Sequence, residues 1–162
     1  MATAAPARPQ VAPTHYAGFW IRVAAWFIDA VLLGIVNGVL SAFFGGGLAT
    51  MIKPGQDPST VNFAAIFATM GTLILVTLAI QFVYFAYLES SEKQGTVGKM
   101  ILGLKVTDLN GQRISFARAA GRFFGKFLSS MILGIGYIMV GFTEKKQGLH
   151  DMVASTLVVS TK

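Results

Sequence analysis

From Val23 to Phe44 the chain reads VAAWFIDAVLLGIVNGVLSAFF, about 22 residues with a single charge, Asp29. At 1.5 Å per residue this makes about 33 Å of helix, enough to cross the hydrocarbon core of a bilayer. Counted from Phe19, the sequence predicts a membrane-spanning helix over about 19–44. Arg22 stands at its mouth and Asp29 seven positions on, so both share one face and lie about 10 Å apart along the axis. A carboxylate at that depth costs about 2.5–3.5 kcal/mol on insertion scales, so Asp29 must turn toward a partner or water. Arg22 is long enough to reach the headgroups and Asp29 is not. Asn37, Ser41 and the Gly34-xxx-Gly38 pair give the same helix a small, polar flank suited to another helix. Two readings of Asp29 stand here: a protonated packing group, or a group that moves ions or protons.

A second span is predicted over about 62–88, with about 26 uncharged residues from Phe63 onward. Ala64, Ala68 and Thr72 form a small face that could dock on Gly34 and Gly38. If the two helices run antiparallel, Gln81 lies at the depth of Asp29 and is expected as its hydrogen-bond partner, a generic helix contact being the alternative. The intervening loop, 45–61, is punctuated by Gly45-Gly46-Gly47, Pro54, Gly55 and Pro58 and carries no excess of Lys or Arg.

The chain is 54% hydrophobic and 12% charged over 162 residues, against about 25% charged in a soluble domain. Its net charge is +6, but the basic residues flank apolar spans, where anchoring and anionic lipid explain them better than nucleic acid does. With no cysteine there is no disulfide framework or thiolate chemistry. Residues 1–14 are Ala- and Pro-rich and predict a disordered tail. A cleavable signal peptide fits poorly, because the first apolar run is too long and is interrupted by Asp29. His15, Tyr16, Phe19 and Trp20 form an aromatic collar of the kind that settles at headgroup level.

Residues 89–122 are the one sizeable polar segment. Its Lys and Arg excess predicts a cytoplasmic position, hence a cytoplasmic N-terminus. Within it Thr96 is expected to cap a short helix whose Val97, Met100, Ile101 and Leu104 form an apolar stripe on the membrane surface. Leu104–Thr107 and Gln112–Ser115, joined through Asn110-Gly111, read as a β-hairpin. Gly95-Thr-Val-Gly98-Lys99 lacks the spacing of a phosphate loop. Ser115 is expected to cap a further helix in which Arg118, Arg122 and Lys126 make a basic ridge facing anionic headgroups, with a buried carboxylate as the alternative partner of Arg118 or Arg122. The third apolar stretch, 123–142, is just long enough for a single crossing, the reading its length favours. A re-entrant turn at Gly134–Gly136 is the alternative that would keep Lys145 and Lys146 on the cytoplasmic side and let 156–159 join the hairpin as a strand. In the closing segment 143–162, Asp151 reads as a helix cap or ion-pair partner. Its neighbour His150 diverges too far to share a metal with it.

The Arg22 and Asp29 pair, TVGKMILGLKVTDLNGQRISFARAAGR and the closing KKQGLHDMVASTLVV together resemble the RDD family of bacterial and archaeal membrane proteins, over about residues 15–160. The resemblance implies that Arg22, Asp29 and Asp151 are the arginine and two aspartates for which that family is named, and it implies transport, including cation/proton exchange, as one candidate activity. The expectation is therefore an all-α membrane protein with about three transmembrane helices, the third re-entrant or crossing, a small cytoplasmic hairpin and interfacial amphipathic helices. It sits in the cell membrane with lipid, and a second copy or another membrane protein, as its partners. Gln81, Asn37, Arg118, Arg122 and His150 are supporting residues. No nucleophile and base stand at motif spacing, so no catalytic residue, cofactor or metal is assigned and an enzyme is not expected. Two functions remain: an ion-translocating subunit, or an accessory or assembly protein in which the Arg/Asp set is structural.

Overall fold

The computed structural model describes residues 15–132 and 134–161, apart from the side chains of residues 48–50; the tail expected over 1–14 lies outside the described residues. Helix α1 runs Phe19–Met51 and helix α2 runs Phe63–Ser90. Both are long and apolar enough to cross a membrane. α1 continues through Gly45-Gly46-Gly47 rather than ending at Phe44. Glycine weakens a helix by only about 1 kcal/mol per residue, and here no proline or capping group follows closely enough to stop it. Asn62 starts α2, its side chain accepting from the Ala65 amide at 3.0 Å.

After α2 the chain forms the short helix α3, Val97–Ile101, the strand β1, Leu104–Asp108, and the amphipathic helix α4, Phe116–Met131. Ser115 caps α4 by accepting from the Arg118 amide at 3.3 Å. A bent connection leads to α5, Ile135–Ile138, and a 3-10 turn, Met139–Gly141; α6, Leu149–Val153, and the strand β2, Thr156–Ser160, close the chain.

The hairpin expected between 104–107 and 112–115 does not form. The Asn110-Gly111 turn is present, with Gly111 at φ 78, but β1 pairs antiparallel with β2, Leu104 opposite Ser160 and Asp108 opposite Thr156. Val106 and Val158 are fully buried where they face each other, and a pairing that buries two β-branched side chains outweighs a local turn signal. The same sheet holds the start of α1, through Ala17 N to Val158 O at 2.9 Å and Ser160 N to His15 O at 2.9 Å.

The third apolar stretch is not a straight crossing. α4 and α5 meet at 116°, with Gly134 in the left-handed region at φ 76. Because β2 pairs with β1 and α6 packs on α4, the segment leaves on the side where it entered. Strand pairing and burial of Asp151 both require the tail beside the start of α1, and by length and composition the bent pair is a broken span or a re-entrant loop.

Most of the buried core also lies at this end: Ala17, Ala25 and Ala86 from the helix ends pack with Leu104, Val106, Ile114, Ala119 and Val158. Phe82 of α2 meets Phe116, Phe123 and Phe124 of α4 edge-on or tilted, with ring centroids 5.4–5.9 Å apart. The small faces of α1 and α2 do not dock, since a Cβ added at Gly34 or Gly38 would meet nothing within 4 Å. Nor does α3 lie on the membrane surface by its apolar stripe, because Leu104 is a buried strand residue while Gly98 and Lys99 are turned inward.

The tightest approach is between α3 and α1. A Cβ on Gly98 would sit 2.1 Å from the Ala25 carbonyl oxygen, so only glycine allows this contact. Replacing Gly98 with Ala should lower thermal stability in detergent by about 1–3 kcal/mol or abolish folded yield. Gly121→Ala, with open space around it, should leave both unchanged.

Candidate functional site

Two polar clusters lie where the start of α1, the end of α2, α3, α4 and α6 converge. The first is built on Asp29, which is only 2% exposed. Its Oδ1 accepts from the Tyr84 hydroxyl at 2.7 Å and the Gly98 amide at 2.8 Å, and its Oδ2 accepts from the Thr96 hydroxyl at 2.5 Å. One carboxyl thereby ties α1 to α2 and to the start of α3. Thr96 stands at the N-cap position of α3, but its hydroxyl goes to Asp29 rather than to the helix. The Tyr84 hydroxyl also accepts from the Val97 amide at 3.2 Å.

The second cluster is ionic and centres on Asp151. Arg22 Nη1 meets Asp151 Oδ2 at 2.5 Å and Arg122 Nη2 meets Asp151 Oδ1 at 2.7 Å. Asp151 Oδ2 also accepts from the Gly148 amide at 3.1 Å, which closes the first turn of α6. Arg122 Nε lies 3.3 Å from Glu89 Oε2 in the last turn of α2, and Glu89 Oε1 meets Lys99 Nζ at 2.5 Å and Lys126 Nζ at 3.6 Å. Arg122, Glu89 and Asp151 are all buried. His150 is buried beside them, its Nε2 3.4 Å from Asp151 Oδ1 and its ring 5.3 Å from that of Tyr137.

Arg22 and Asp29, which share one helical face, do not meet. Helical side chains lean toward the N-terminus, and the Arg22 guanidinium reaches back to the carbonyls of Ala17 and Lys146, away from Asp29 about two turns deeper. Gln81 shares a cavity with Asp29, but the hydrogen bonds to Asp29 come from Tyr84, Thr96 and Gly98, whose donors lie closer. Asn37 is half-buried on α1, outside both clusters. The basic ridge divides. Arg118 is 49% exposed and 3.8 Å from Asp108, whereas Arg122 turns inward to Asp151 and Glu89, since an acid left alone there would cost more than burying its partner. Sequence reasoning missed Glu89 and Lys99. The available signal was an acid placed in the last turn of an apolar helix, next to the small residue Ala86. Among the described residues no group of three His, Cys, Asp or Glu side chains could hold a metal.

A cavity of about 530 Å³ joins the two clusters, lined by Arg22, Asp29, Lys99, Arg122, Lys126 and His150 and walled by aromatic side chains. Burial pulls the Lys99 ammonium down to about 7; Glu89 opposes this, while Arg122 and Lys126 add to it. Burial likewise pulls His150 down to about 3, so its imidazole is neutral near pH 7. Burial alone would raise the Asp151 carboxyl, but Arg122, His150 and Arg22 outweigh it and hold it below the usual carboxylate range.

All three shifts are downward, so between the lowered and the ordinary value the unfolded chain binds the extra proton and stability rises with pH. Thermal stability in detergent should therefore fall as pH drops below 6.5, the ordinary histidine value. His150 contributes about 1–2 kcal/mol of that loss by pH 5, and His150→Phe should flatten this part of the curve. Arg122→Met leaves Glu89 and Asp151 buried and under-compensated, and should cost about 3–5 kcal/mol. Arg118→Met at the exposed end of the same ridge should cost less than about 1 kcal/mol by the same unfolding measurement.

Residues 16–155 match the model of the RDD family. The chain is 38% identical over 148 residues to the uncharacterized protein YxaI of Bacillus subtilis (strain 168), covering 88% of this chain and 96% of that protein. It is 33% identical over 156 residues to the uncharacterized membrane protein YteJ of the same organism, covering 92% of this chain and 84% of that protein. No solved structure matches. With two helices able to cross a bilayer and a family match over most of its length, the chain is a multi-pass membrane protein and belongs to the RDD family.

Proposed function

We propose that this protein is a non-enzymatic accessory membrane protein, in which the Arg22/Asp29/Asp151 set is structural and the exposed membrane faces receive a partner membrane protein or a second copy. The observation that carries this reading is that both acids are answered inside the chain: Asp29 by three hydrogen-bond donors at 2% exposure, Asp151 by two guanidiniums. A proton carrier has to alternate between environments, and a carboxyl that holds three elements together cannot move without undoing them. The unoccupied Gly34 and Gly38 flank of α1 suits close approach by another helix.

The ionic end is the cytoplasmic one in this reading. The return of the chain through α5 brings Lys145 and Lys146 to the side of Arg113 and Arg118, where anionic headgroups are at hand. The loop between α1 and α2 carries only Lys53 against Asp57.

Purified protein in liposomes should show no proton-coupled cation flux, and Asp29→Asn should lower folded yield and unfolding free energy by about 1–3 kcal/mol. Flux from the wild type that Asp29→Asn abolishes without loss of folded protein would replace this reading with the transporter. Cysteines introduced at Lys53 and Lys145 should be labelled from opposite sides of the membrane.

A further inference from the structure

The cavity between the clusters is a cleft whose walls come from three helices. Phe19, Val23 and Trp26 stand on α1, Gln81 and Phe85 on α2, and Phe123 and Phe127 on α4. Two of these rim residues face outward, Trp26 at 63% and Phe127 at 45% exposure. On a soluble protein such a rim would be open to water, but α1 is a membrane span, so the cleft opens sideways into the lipid. Its volume of about 530 Å³ falls in the range of small-molecule sites, about 300–1,000 Å³.

One end of the cleft is apolar and the other is cationic. Arg22, Lys99, Arg122 and Lys126 line it, and the acids they pair with are Glu89 and Asp151. Arg22 and Arg122 are held by Asp151 at 2.5 and 2.7 Å and Lys99 by Glu89 at 2.5 Å, which leaves Lys126 without a close acid of its own. An uncompensated charge at the edge of a low-dielectric region is costly unless an anion joins it. The cation with the weakest internal ties is Lys126. Its ammonium is 3.6 Å from Glu89 and 3.9 Å above the Phe85 ring. Ser130 and Tyr137 line the cleft beside it, their hydroxyls 3.2 Å apart.

We propose that this cleft is a binding site for one anionic phospholipid of the surrounding leaflet, with an acyl chain along Trp26, Phe85 and Phe127 and its phosphate on Lys126 and Arg22. A headgroup phosphate supplies the close anion that Lys126 lacks, and the lateral opening admits a lipid without its leaving the bilayer. The site goes beyond the accessory reading and holds for either orientation of the chain.

Trp26 reports on its occupant directly. The full chain carrying Trp20→Phe, so that Trp26 is the sole tryptophan, is reconstituted in phosphatidylcholine vesicles with increasing fractions of lipid brominated on its acyl chains. Brominated phosphatidylglycerol should quench Trp26 at about a fivefold lower mole fraction than brominated phosphatidylcholine, the preference expected of one lysine near a phosphate. Lys126→Gln should remove the preference and Lys126→Arg should keep it, while Lys105→Gln, on the exposed face of β1, should not change it. Equal quenching by the two lipids in the Trp20→Phe protein overturns the proposal whatever the Lys126 variants do. So does relief of phosphatidylglycerol quenching by a stoichiometric amount of palmitate, which would assign the cleft to a free fatty acid.

Discussion

The carboxylate of Asp151, held between two guanidiniums, is the contact on which the arrangement of this molecule depends. Arg22 comes from the start of the first span and Arg122 from the middle of α4. Each brings a charge that could not be buried alone, and the acid on α6 makes both tolerable. Residues 129 positions apart in sequence are thereby fixed within 2.5 Å. Arg122 extends the chain of charges to Glu89, and so to Lys99 and Lys126, linking the end of α2 to α3 and α4. Such a network adds little net stability compared with an apolar core of equal volume, but breaking any member is costly. It joins five helices, α1, α2, α3, α4 and α6, through one connected set of charges.

Asp29 does different work with the same chemical group. Instead of a cation it has gathered two hydroxyls and a backbone amide. That set can be assembled only because Gly98 lets α3 press against the Ala25 carbonyl. The cost of an acid within a span is thus offset by neutral donors from two other elements, and the result is a rigid joint at the membrane edge.

These two joints leave the outer parts of the spans almost bare of internal contacts. The buried core sits at the ionic end, while Trp26, Phe43, Phe67 and Leu75 face outward. Lipid therefore takes the place of a core over most of α1 and α2. The cleft between them and α4 is where the ionic joint and the hydrocarbon meet, and this makes it chemically amphiphilic.

Periodicity and composition were sufficient to read the two spans, the Ser115 cap and the polar segment that joins α2 to α4, because hydrophobic length and capping act within a few residues. The motifs around Arg22, Asp29 and Asp151 pointed to the RDD family. They did not show which of these groups meet. Helix depth places Gln81 level with Asp29, but the donors are Tyr84, three residues further along α2, and Thr96 and Gly98, brought in by a turn whose path no local pattern specifies. The Asn110-Gly111 turn and a strand over 156–159 are both legible, but the local pattern pairs Leu104–Thr107 with Gln112–Ser115, whereas in the fold Thr156–Ser160 takes that place from about 50 residues away. Hydrophobic length and the placing of charges along the chain already establish that it lies in a membrane and must neutralise acids there. That Arg22 and Arg122 answer Asp151, and that three hydrogen-bond donors answer Asp29, follows from the folded arrangement alone, because partner choice among buried charges depends on which elements are brought within about 3 Å.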